Sequence, residues 1–244
     1  IRGDEWIASL PIHLQLFRTF GFQPPKYAHI APLMKTEDGS TRKLSKRKDP
    51  ECAISYYFEI GMPTESILLY LATICNSDFE DWFMKNPGAK IEDFTFRFNH
   101  IGKSGAIYDL AKLYNISKGF VSRMKAQDLY DRSAPFLKEY DPEFYALYSR
   151  DEAYSVAALN IDREKPKPRK DIAVYGDIKA QIWYLYDELF QNPWQDKTII
   201  DEAILADYFE NVYDAADDSA VWMEKVKAFA PKHGYAADVK EYKK

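Results

Sequence analysis

The feature that most constrains the fold is a change of pattern at Pro50, after which apolar residues recur at helical spacing. Residues 51–60 predict a short helix that ends at Gly61, and Thr64 is a candidate N-cap for the helix that follows. Residues three and four apart share one face of a helix, so such stripes indicate buried helix faces. Two stripes have this spacing, first Ile67, Leu68, Leu71, Ile74 and Cys75, and then Ile107, Leu110, Ala111 and Tyr114. The chain is therefore predicted to be mainly α.

Helical segments rich in aromatic residues continue this pattern from Ala126 onward. They predict helices over residues 136–148, 178–190 and 199–212. The last of these has apolar positions that predict a wide buried face, at Ile200, Ile204, Leu205, Tyr208, Phe209 and Val212. Residues 163–170 interrupt the pattern with five Lys or Arg and two Pro. Proline excludes a helix there, so we predict an exposed linker, for which a solvated segment is favoured over a contact with an RNA backbone.

The part of the chain before Pro50 has a mixed pattern. Residues 1–6 predict the end of a strand, with Trp6 in the core, and residues 10–20 predict a helix that ends at Gly21. Two consecutive prolines, at 24 and 25, force an extended passage because the residue before a proline avoids the helical region. Residues 27–34 then predict a strand and a turn.

The charge of the chain is unevenly distributed. The formal net charge is −5, which by itself argues against a nucleic-acid-binding protein. Residues 1–50, however, contain nine Lys or Arg against five Asp or Glu, and residues 201–220 contain seven acids and no Lys or Arg. A positive beginning and an acidic far end suit an enzyme that contacts a polyanion on one side only.

The two cysteines, Cys52 and Cys75, form neither a metal-spaced pair nor a disulfide framework. This usage suits a reducing compartment, so we predict a cytoplasmic protein with both cysteines as small buried residues. No apolar run approaches the roughly 18 residues of a membrane span. Apolar residues at 46% and charged residues at 29% are typical of a globular chain.

The stretch Thr41–Pro50 is the most concentrated charge in the chain, with five Lys or Arg in the seven positions 42–48. Three hypotheses fit such a stretch. It is a solvated charged loop, a patch that serves nuclear localisation or binds polyanions, or a catalytic loop whose lysines neutralise the phosphates of a nucleotide.

The order of the residues favours the third hypothesis. Lys43-Leu44-Ser45-Lys46-Arg47 resembles the KMSKS motif of class I aminoacyl-tRNA synthetases, in the form typical of the glutamyl and glutaminyl enzymes. Ile1-Arg2-Gly3-Asp4-Glu5-Trp6 resembles the R-x-D/E-E-W element of glutamyl-tRNA synthetases, and residues 20–29 (FGFQPPKYAH) resemble their FGW-x-PP-x-F/Y-A-H segment. Pro32-Leu33-Met34 falls where that family has an adenine-contacting turn. These matches come in the family's order, so the chain resembles a glutamate–tRNA ligase.

The resemblance implies a fold and a division into domains. Residues 1–50 would be the C-terminal end of a Rossmann-like catalytic domain with its KMSKS-type loop. Residues 51–125 would form a helical stem-contact domain, in which residues 103–113 resemble the family's S-G-A-containing stretch. Residues 126–244 would be a truncated part of an all-helical anticodon-binding region.

It also implies site residues. The catalytic residues would be Lys46 first and Lys43 beside it, and Arg2 would bind a carboxylate of the glutamate substrate. For Arg2 an ion pair with Asp4 or another acid is an equally good hypothesis. The ATP-binding residues would be Glu5, Met34, Lys43, Leu44, Ser45, Lys46 and Arg47. ATP with Mg²⁺ would be a substrate, the partners would be glutamate and tRNA(Glu), and the chain would hold no metal of its own and act as a monomer.

Two motif-like segments are rejected. Gly102-Lys103-Ser104 ends like a P-loop, but the glycine required five positions earlier is Arg97, so the backbone would not form the anion nest. Residues 100–103 resemble the HIGH motif of class I synthetases, but they follow the KMSKS-type loop instead of preceding it. The HIGH element is therefore expected upstream of Ile1, and the isolated chain is expected to be inactive.

Three functions therefore compete. The chain is part of a glutamate–tRNA ligase, a non-catalytic tRNA-binding module, or a helical scaffold that uses its acidic face at residues 201–218. Salt-dependent binding of tRNA would distinguish the second from the third. The sequence leaves open whether the ligase also charges tRNA(Gln).

Overall fold

The computed structural model describes residues 1–86, 88–102, 104–190 and 201–236. The chain divides into two compact units, residues 1–189 and residues 190–244. Both are mainly helical, as predicted. Within the described residues, none of the helices combines the length and the apolarity that crossing a membrane requires.

In the described part of the first unit, five short strands form two small sheets. The strands are β1 (Arg2–Gly3), β2 (His29–Ile30), β3 (Leu33–Glu37), β4 (Ser40–Lys43) and β5 (Ala106–Ile107). β1 pairs with β2 in parallel, and β3 lies between β4 and β5 in the order β4-β3-β5. β3 and β4 form a hairpin whose turn residues, Asp38 and Gly39, both have positive φ, at 50° and 75°. The basic stretch therefore begins as a strand and only becomes a loop after Lys43, which corrects the prediction that it is loop from Thr41.

The segment between β1 and β2 matches its sequence pattern except at Trp6. The helix α1 (Leu10–Thr19) is followed by Gly21 at φ 72°, as predicted. Trp6 lies in a 3₁₀ turn, Asp4–Trp6, and is 45% exposed, so its predicted core position is wrong. None of the residues of α1 is buried in the described structure.

The helices described up to Val121, after the β3–β4 hairpin, are α2 (Ile54–Ile60), α3 (Thr64–Cys75), α4 (Phe79–Lys85) and α5 (Leu110–Val121). Gly61 ends α2 as predicted, because its φ of 72° suits a residue without a Cβ. The predicted cap of α3 is wrong, since Pro63 occupies the N-cap position and no side chain caps the helix. Asp109 caps α5 instead, accepting a hydrogen bond from the amide of Lys112 at 3.1 Å.

The two predicted stripes are only partly confirmed, because Ile67, Ile74, Leu110 and Tyr114 are partly buried against the core but are not its most buried residues. The buried residues of α3 are Ser66, Leu69 and Tyr70, whereas Leu68 is 49% exposed. The buried residues of α5 are Leu113, Ser117 and Val121, and Ile107 belongs to β5 and is 55% exposed. The two helices pack through their serines, whose hydroxyl oxygens lie 2.9 Å apart. α3 is apolar on several faces, so its spacing alone does not determine which face is buried.

A second core lies among the helices α6 (Ala126–Tyr140), α7 (Pro142–Tyr148), α8 (Glu152–Asn160) and α9 (Ile178–Ile182). The helix predicted over residues 136–148 is in fact two, because Asp141 ends α6 and caps α7 by accepting from the amide of Phe144. The helix predicted over residues 178–190 is also shorter, since a 3₁₀ turn, Trp183–Leu185, follows α9.

Residues 163–170 are outside any helix, as their prolines predict. Arg163 is nevertheless buried, with 8% exposure, so the prediction of an exposed linker is wrong at this residue. Its guanidinium donates to the carbonyls of Leu159 at 3.0 Å and Val121 at 2.7 Å. These carbonyls lie at the ends of α8 and α5, where the last carbonyls have no partner within the helix, so Arg163 links the two helix ends. The carbonyl of Val121 also accepts from the amide of Met124 at 3.1 Å.

The second unit contains α10 (Glu202–Asn211), α11 (Ser219–Phe229) and a 3₁₀ turn, Ala230–His233. The predicted wide buried face is wrong, because none of the residues of α10 is buried, with Leu205 42% and Phe209 59% exposed. Ile200 lies outside the described residues. Tyr208, another predicted position, is partly buried and accepts a hydrogen bond from the indole of Trp222 at 2.6 Å. Both cysteines, predicted to be buried, are only partly covered.

Candidate active-site loop

The basic stretch leaves the sheet at Leu44 and forms a tight turn. The amide of Leu44 still donates to the carbonyl of Leu33 at 2.9 Å. The carbonyl of Ser45 then accepts from the amides of Lys48 at 3.0 Å and Asp49 at 2.8 Å. We call Ser45–Lys48 the basic turn, because these bonds close it and place residues 46–48 at its tip.

Asp49 holds the base of the basic turn. Its side chain is 1% exposed, and its two oxygens accept four hydrogen bonds from neighbouring groups. The donors are the amide of Ser45 at 2.8 Å, the two terminal nitrogens of Arg42 at 2.7 and 2.8 Å, and the Nζ of Lys35 at 3.1 Å. The Arg42 guanidinium and the Ser45 amide hold the pKa of the Asp49 carboxyl well below its usual range. Asp49 therefore stays charged and bonded at neutral pH.

The cations that contact Asp49 have second partners. Lys35 also pairs with Glu51 at 2.5 Å, and Arg42 pairs with Glu37 at 2.9 Å. The pKa of Arg42 is raised by its hydrogen bonds to the carboxylates of Asp49 and Glu37. The charge of Arg42 is thus balanced within the protein.

The remaining cations of the stretch are differently placed. Lys43 pairs with Glu5 at 3.2 Å, and both side chains are about half exposed, at 54% and 53%. Lys46, Arg47 and Lys48 are exposed at the tip of the basic turn and form no ion pair with any residue that the structure describes. Exposed ion pairs contribute little to stability, so Lys43 can exchange Glu5 for another anion at small cost. The tip and Lys43 together offer an accessible positive surface.

A cavity of about 580 Å³ opens beside this surface. It brings together four of the predicted site residues, which are Glu5, Lys43, Leu44 and Lys46. Its wall continues over β2, α2 and α3, and its other lining residues are mainly apolar, including Ile30, Leu33, Cys52, Ile54, Tyr57, Phe58, Ile67, Leu68, Leu71 and Tyr108. An apolar cavity with cations at its edge suits a flat aromatic ring that carries an anionic group.

Four predicted site residues do not line this cavity, namely Arg2, Met34, Ser45 and Arg47. Arg2 is exposed and donates to the carbonyl of Ile1 at 2.8 Å, and the alternative ion pair with Asp4 does not form. The carbonyl of Met34 accepts from the amide of Tyr108 at 2.7 Å, so only its second lone pair is free for a ligand. The hydroxyl of Ser45 accepts from the amide of Arg47 at 3.4 Å, which stabilises the turn.

Sequence analysis missed three residues of this region. Asp49 was not singled out, although a lone acid directly after five cations is a recognisable pattern. Tyr57 donates its hydroxyl proton to the carbonyl of Glu51 at 2.6 Å and is hydrogen-bonded to the hydroxyl of Tyr108. Burial raises the pKa of the Tyr108 hydroxyl, so it stays protonated as a donor. No local pattern connects Tyr57 and Tyr108, which are distant in sequence.

Gly105 explains why β5 approaches β3 so closely. A Cβ at this position would lie 2.8 Å from the carbonyl oxygen of Pro32 and 2.4 Å from the Cγ of Met34. The first distance is to backbone, which cannot move aside, so only glycine fits. This accounts physically for the S-G-A pattern and for the pairing of Ala106 with Leu33.

Among the described residues, no group of three or more His, Cys, Asp or Glu side chains is arranged to hold a metal ion. Elsewhere the Asp78 carboxylate contacts His100, in the segment that resembles the HIGH motif. Lys103, the last residue of that segment, lies outside the described residues.

The strands and the helices that follow have the fold of the C-terminal part of a class I aminoacyl-tRNA synthetase. No family model matches the chain. Its sequence is 44% identical over 251 residues to a glutamate–tRNA ligase of Clostridium perfringens, covering 100% of this chain and 46% of that protein. It is 40% identical over 272 residues to a glutamate–tRNA ligase of Sorangium cellulosum, again covering 100% and 46%. The chain is therefore the counterpart of the C-terminal part of the glutamate–tRNA ligases and spans about half the length of these relatives.

Solved structures show the same fold. A crystal structure of a glutamate tRNA ligase from Elizabethkingia meningosepticum, in complex with its amino acid, matches with a TM-score of 0.62 at 17% identity. The match covers 97% of this chain and 48% of that one. A glutamate–tRNA synthetase from Elizabethkingia anophelis matches with a TM-score of 0.60, also at 17% identity. The predicted fold class is confirmed.

Proposed function

We propose that the chain is the part of a glutamate–tRNA ligase that carries the phosphate-binding loop and the tRNA-binding helices. The ligase activates glutamate with ATP to glutamyl-adenylate and transfers the glutamyl group to the 3′ end of tRNA(Glu). The observation that carries the proposal is the basic turn, where Lys46, Arg47 and Lys48 are free of ion pairs with described residues and stand on a base held by Asp49. Sequence similarity over the whole chain supports the choice of amino acid.

The chemistry explains why cations are needed at this place. The α-carboxylate of glutamate attacks the α-phosphorus of ATP, the bond to the bridging oxygen breaks, and pyrophosphate leaves. Negative charge grows on the leaving pyrophosphate during this step, so a fixed cation stabilises the transition state more than the ground state. Lys46 is the first candidate because it stands at the tip of the turn and also lines the cavity. Mg²⁺ enters only as the counter-ion of ATP.

The other site residues have supporting roles in this proposal. Lys43 would leave Glu5 to contact a phosphate, and Arg47 would add a second cation from the tip. Glu5 would then face the ribose or adenine of ATP, and Leu44 would form part of the apolar wall. Met34 would offer its backbone to the adenine, and Ser45 would donate its hydroxyl to a phosphate or stabilise the turn.

Glutamate recognition is assigned to Arg2. Its guanidinium is exposed and bonded only to the neighbouring carbonyl of Ile1 among the described contacts. A guanidinium can bind a carboxylate with two parallel hydrogen bonds, which suits glutamate. Residues 1–50, 51–125 and 126–244 would serve as the end of the catalytic domain, the stem-contact domain and part of the anticodon-binding region. We further propose that the ligase works in the cytoplasm as a monomer.

The experiment uses the full-length ligase that contains this chain, with ATP, tRNA(Glu) and radiolabelled amino acid. We expect glutamate to be attached to tRNA(Glu) and glutamine to be rejected. If the ligase does not aminoacylate tRNA(Glu) but binds tRNA in a salt-dependent way, the proposal is wrong and the chain is a non-catalytic tRNA-binding module. Charging of tRNA(Gln) in a parallel reaction would show the wider specificity.

A further inference from the structure

We propose that Asp49 is a positioning residue for the basic turn, holding the cations at its tip where the phosphates of ATP are bound. It would act through Ser45 and Arg42 without touching the substrate. This inference rests on the proposed function for the identity of the ligand. It also makes Arg42, one of the five cations of the basic stretch, part of the support of the turn.

The contacts of Asp49 join three parts of the chain. One oxygen accepts from Lys35 on β3 and from Arg42 on β4, and the other accepts from Arg42 and from the amide of Ser45. A carboxylate has about four acceptor sites, so its capacity is fully used. The basic turn is thereby bonded to both strands of the β3–β4 hairpin.

Ser45 and Asp49 are bonded to each other twice. The amide of Ser45 donates to the Asp49 carboxylate at 2.8 Å, and the amide of Asp49 donates to the carbonyl of Ser45 at 2.8 Å. Residues 46–48 therefore lie inside a ring that is closed at both ends by the same two residues. Because the ring is short, fixing its ends restricts where the side chains of the tip can reach.

Charge balance alone does not require Asp49 in this position. Arg42 already has Glu37, and Lys35 already has Glu51. What Asp49 adds is the bond to the Ser45 amide, which these other acids do not make among the described contacts. Its carboxylate is almost completely buried under the turn, away from any ligand that approaches the tip.

The first test measures ATP–pyrophosphate exchange by the full-length ligase with glutamate and tRNA(Glu). The variant is Asp49→Asn, which keeps the size of the side chain but removes the charge and half of the acceptor capacity. A displacement of about 1 Å at a catalytic group can cost roughly 10²-fold in rate, so we expect kcat to fall by about that factor with little change in the KM for ATP. The control is Glu37→Gln, which removes only the exposed partner of Arg42 and should leave both constants unchanged. An unchanged kcat, or a change confined to KM, would overturn the proposal.

The second test is independent of activity. Amide hydrogen exchange is compared in residues 45–49 and in α5, residues 110–121, of the same full-length proteins. We expect Asp49→Asn to accelerate exchange in the turn only, and equal acceleration in α5 would show a general loss of stability and overturn the positioning role. If Asp49→Asn does not fold, Arg42→Lys is measured in the same two ways, because it keeps the charge but loses the two-bond fork. If the wild-type ligase shows no glutamate-dependent exchange of pyrophosphate, the proposed function fails, and hydrogen exchange alone decides the role of Asp49.

Discussion

Arg42 and Asp49 lie at opposite ends of the basic stretch and form a two-bond ion pair, with nitrogen–oxygen distances of 2.7 and 2.8 Å. Because of this pair, Arg42 differs from the cations at the tip of the turn. Arg42 is bonded within the protein, whereas Lys46, Arg47 and Lys48 remain exposed and free of ion pairs with the residues the structure describes. Cations that are not distinguished by the sequence therefore form a supporting part and an exposed part in three dimensions.

The lowered pKa of Asp49 predicts a pH dependence of stability. A carboxyl whose pKa is lower in the folded state stabilises the fold above its unfolded pKa, which is about 3.9 for Asp. This contribution is lost as the pH falls through the folded-state value. We therefore expect Asp49→Asn to lower the unfolding temperature most above about pH 5 and to differ less from wild type at pH 3.

Thermal unfolding of the two proteins at pH 7, 5 and 3 checks this prediction. Asp38→Asn is a suitable control, because Asp38 is exposed in the β3–β4 turn and its positive φ also suits Asn. Its effect should be small at every pH. If the difference in unfolding temperature between wild type and Asp49→Asn grew as the pH fell, the lowered pKa of Asp49 would be contradicted.

Two leucine substitutions test which faces of α3 and α5 are buried. Leu113 is 0% exposed in the core between α3 and α5, whereas Leu68 is 49% exposed although its spacing predicted burial. Leu113→Ala should reduce the free energy of unfolding by about 2–5 kcal/mol, because it opens a cavity in a packed core. Leu68→Ala should cost less than about 1 kcal/mol. Urea unfolding measures both, and equal effects would mean that the packing is misassigned.

Arg163 provides a test of a buried cation that is bonded to carbonyls. Arg163→Met removes the donor to the carbonyl of Leu159, and an unpaired buried acceptor costs about 1–3 kcal/mol, whereas the carbonyl of Val121 keeps the amide of Met124 at 3.1 Å. The matched change Lys165→Met removes an exposed ion pair with Asp162 and should have little effect. The comparison is again made by urea unfolding. A stable Arg163→Met protein would show that the carbonyl of Leu159 is satisfied in another way.

Much of the local structure could be predicted from the sequence. The helices that end at Gly21 and Gly61 were predicted correctly because both glycines have φ of 72°, a conformation that other residues rarely adopt. Four predicted site residues, at positions 5, 43, 44 and 46, also lie around one cavity. Three of them are neighbours in the chain, so the fold adds only Glu5 to their group, and their roles stay a prediction.

Other features depended on distant parts of the chain. The apolar residues of α3 fit several helix faces, and its contact with α5 through Ser66 and Ser117 determines which face is buried. Arg163 is charged and begins a segment rich in cations and prolines, which predicted that it is exposed. It is buried because carbonyls at the ends of α5 and α8 accept its hydrogen bonds. The role of Asp49 likewise depends on the β3–β4 hairpin, whose strands bring Lys35 and Arg42 to it. Such contacts are not encoded in local spacing.

The central claim is that the basic turn holds ATP while its bond at the α-phosphorus breaks, and the most direct measurement is the exchange rate of Lys46→Ala in the full-length ligase. Removing one preorganised donor of this kind costs about 10²–10³ in kcat, and we predict a loss of that size. Lys138→Ala, which removes an exposed lysine from α6, serves as the control and should retain the wild-type rate. An unchanged rate in Lys46→Ala would contradict the account.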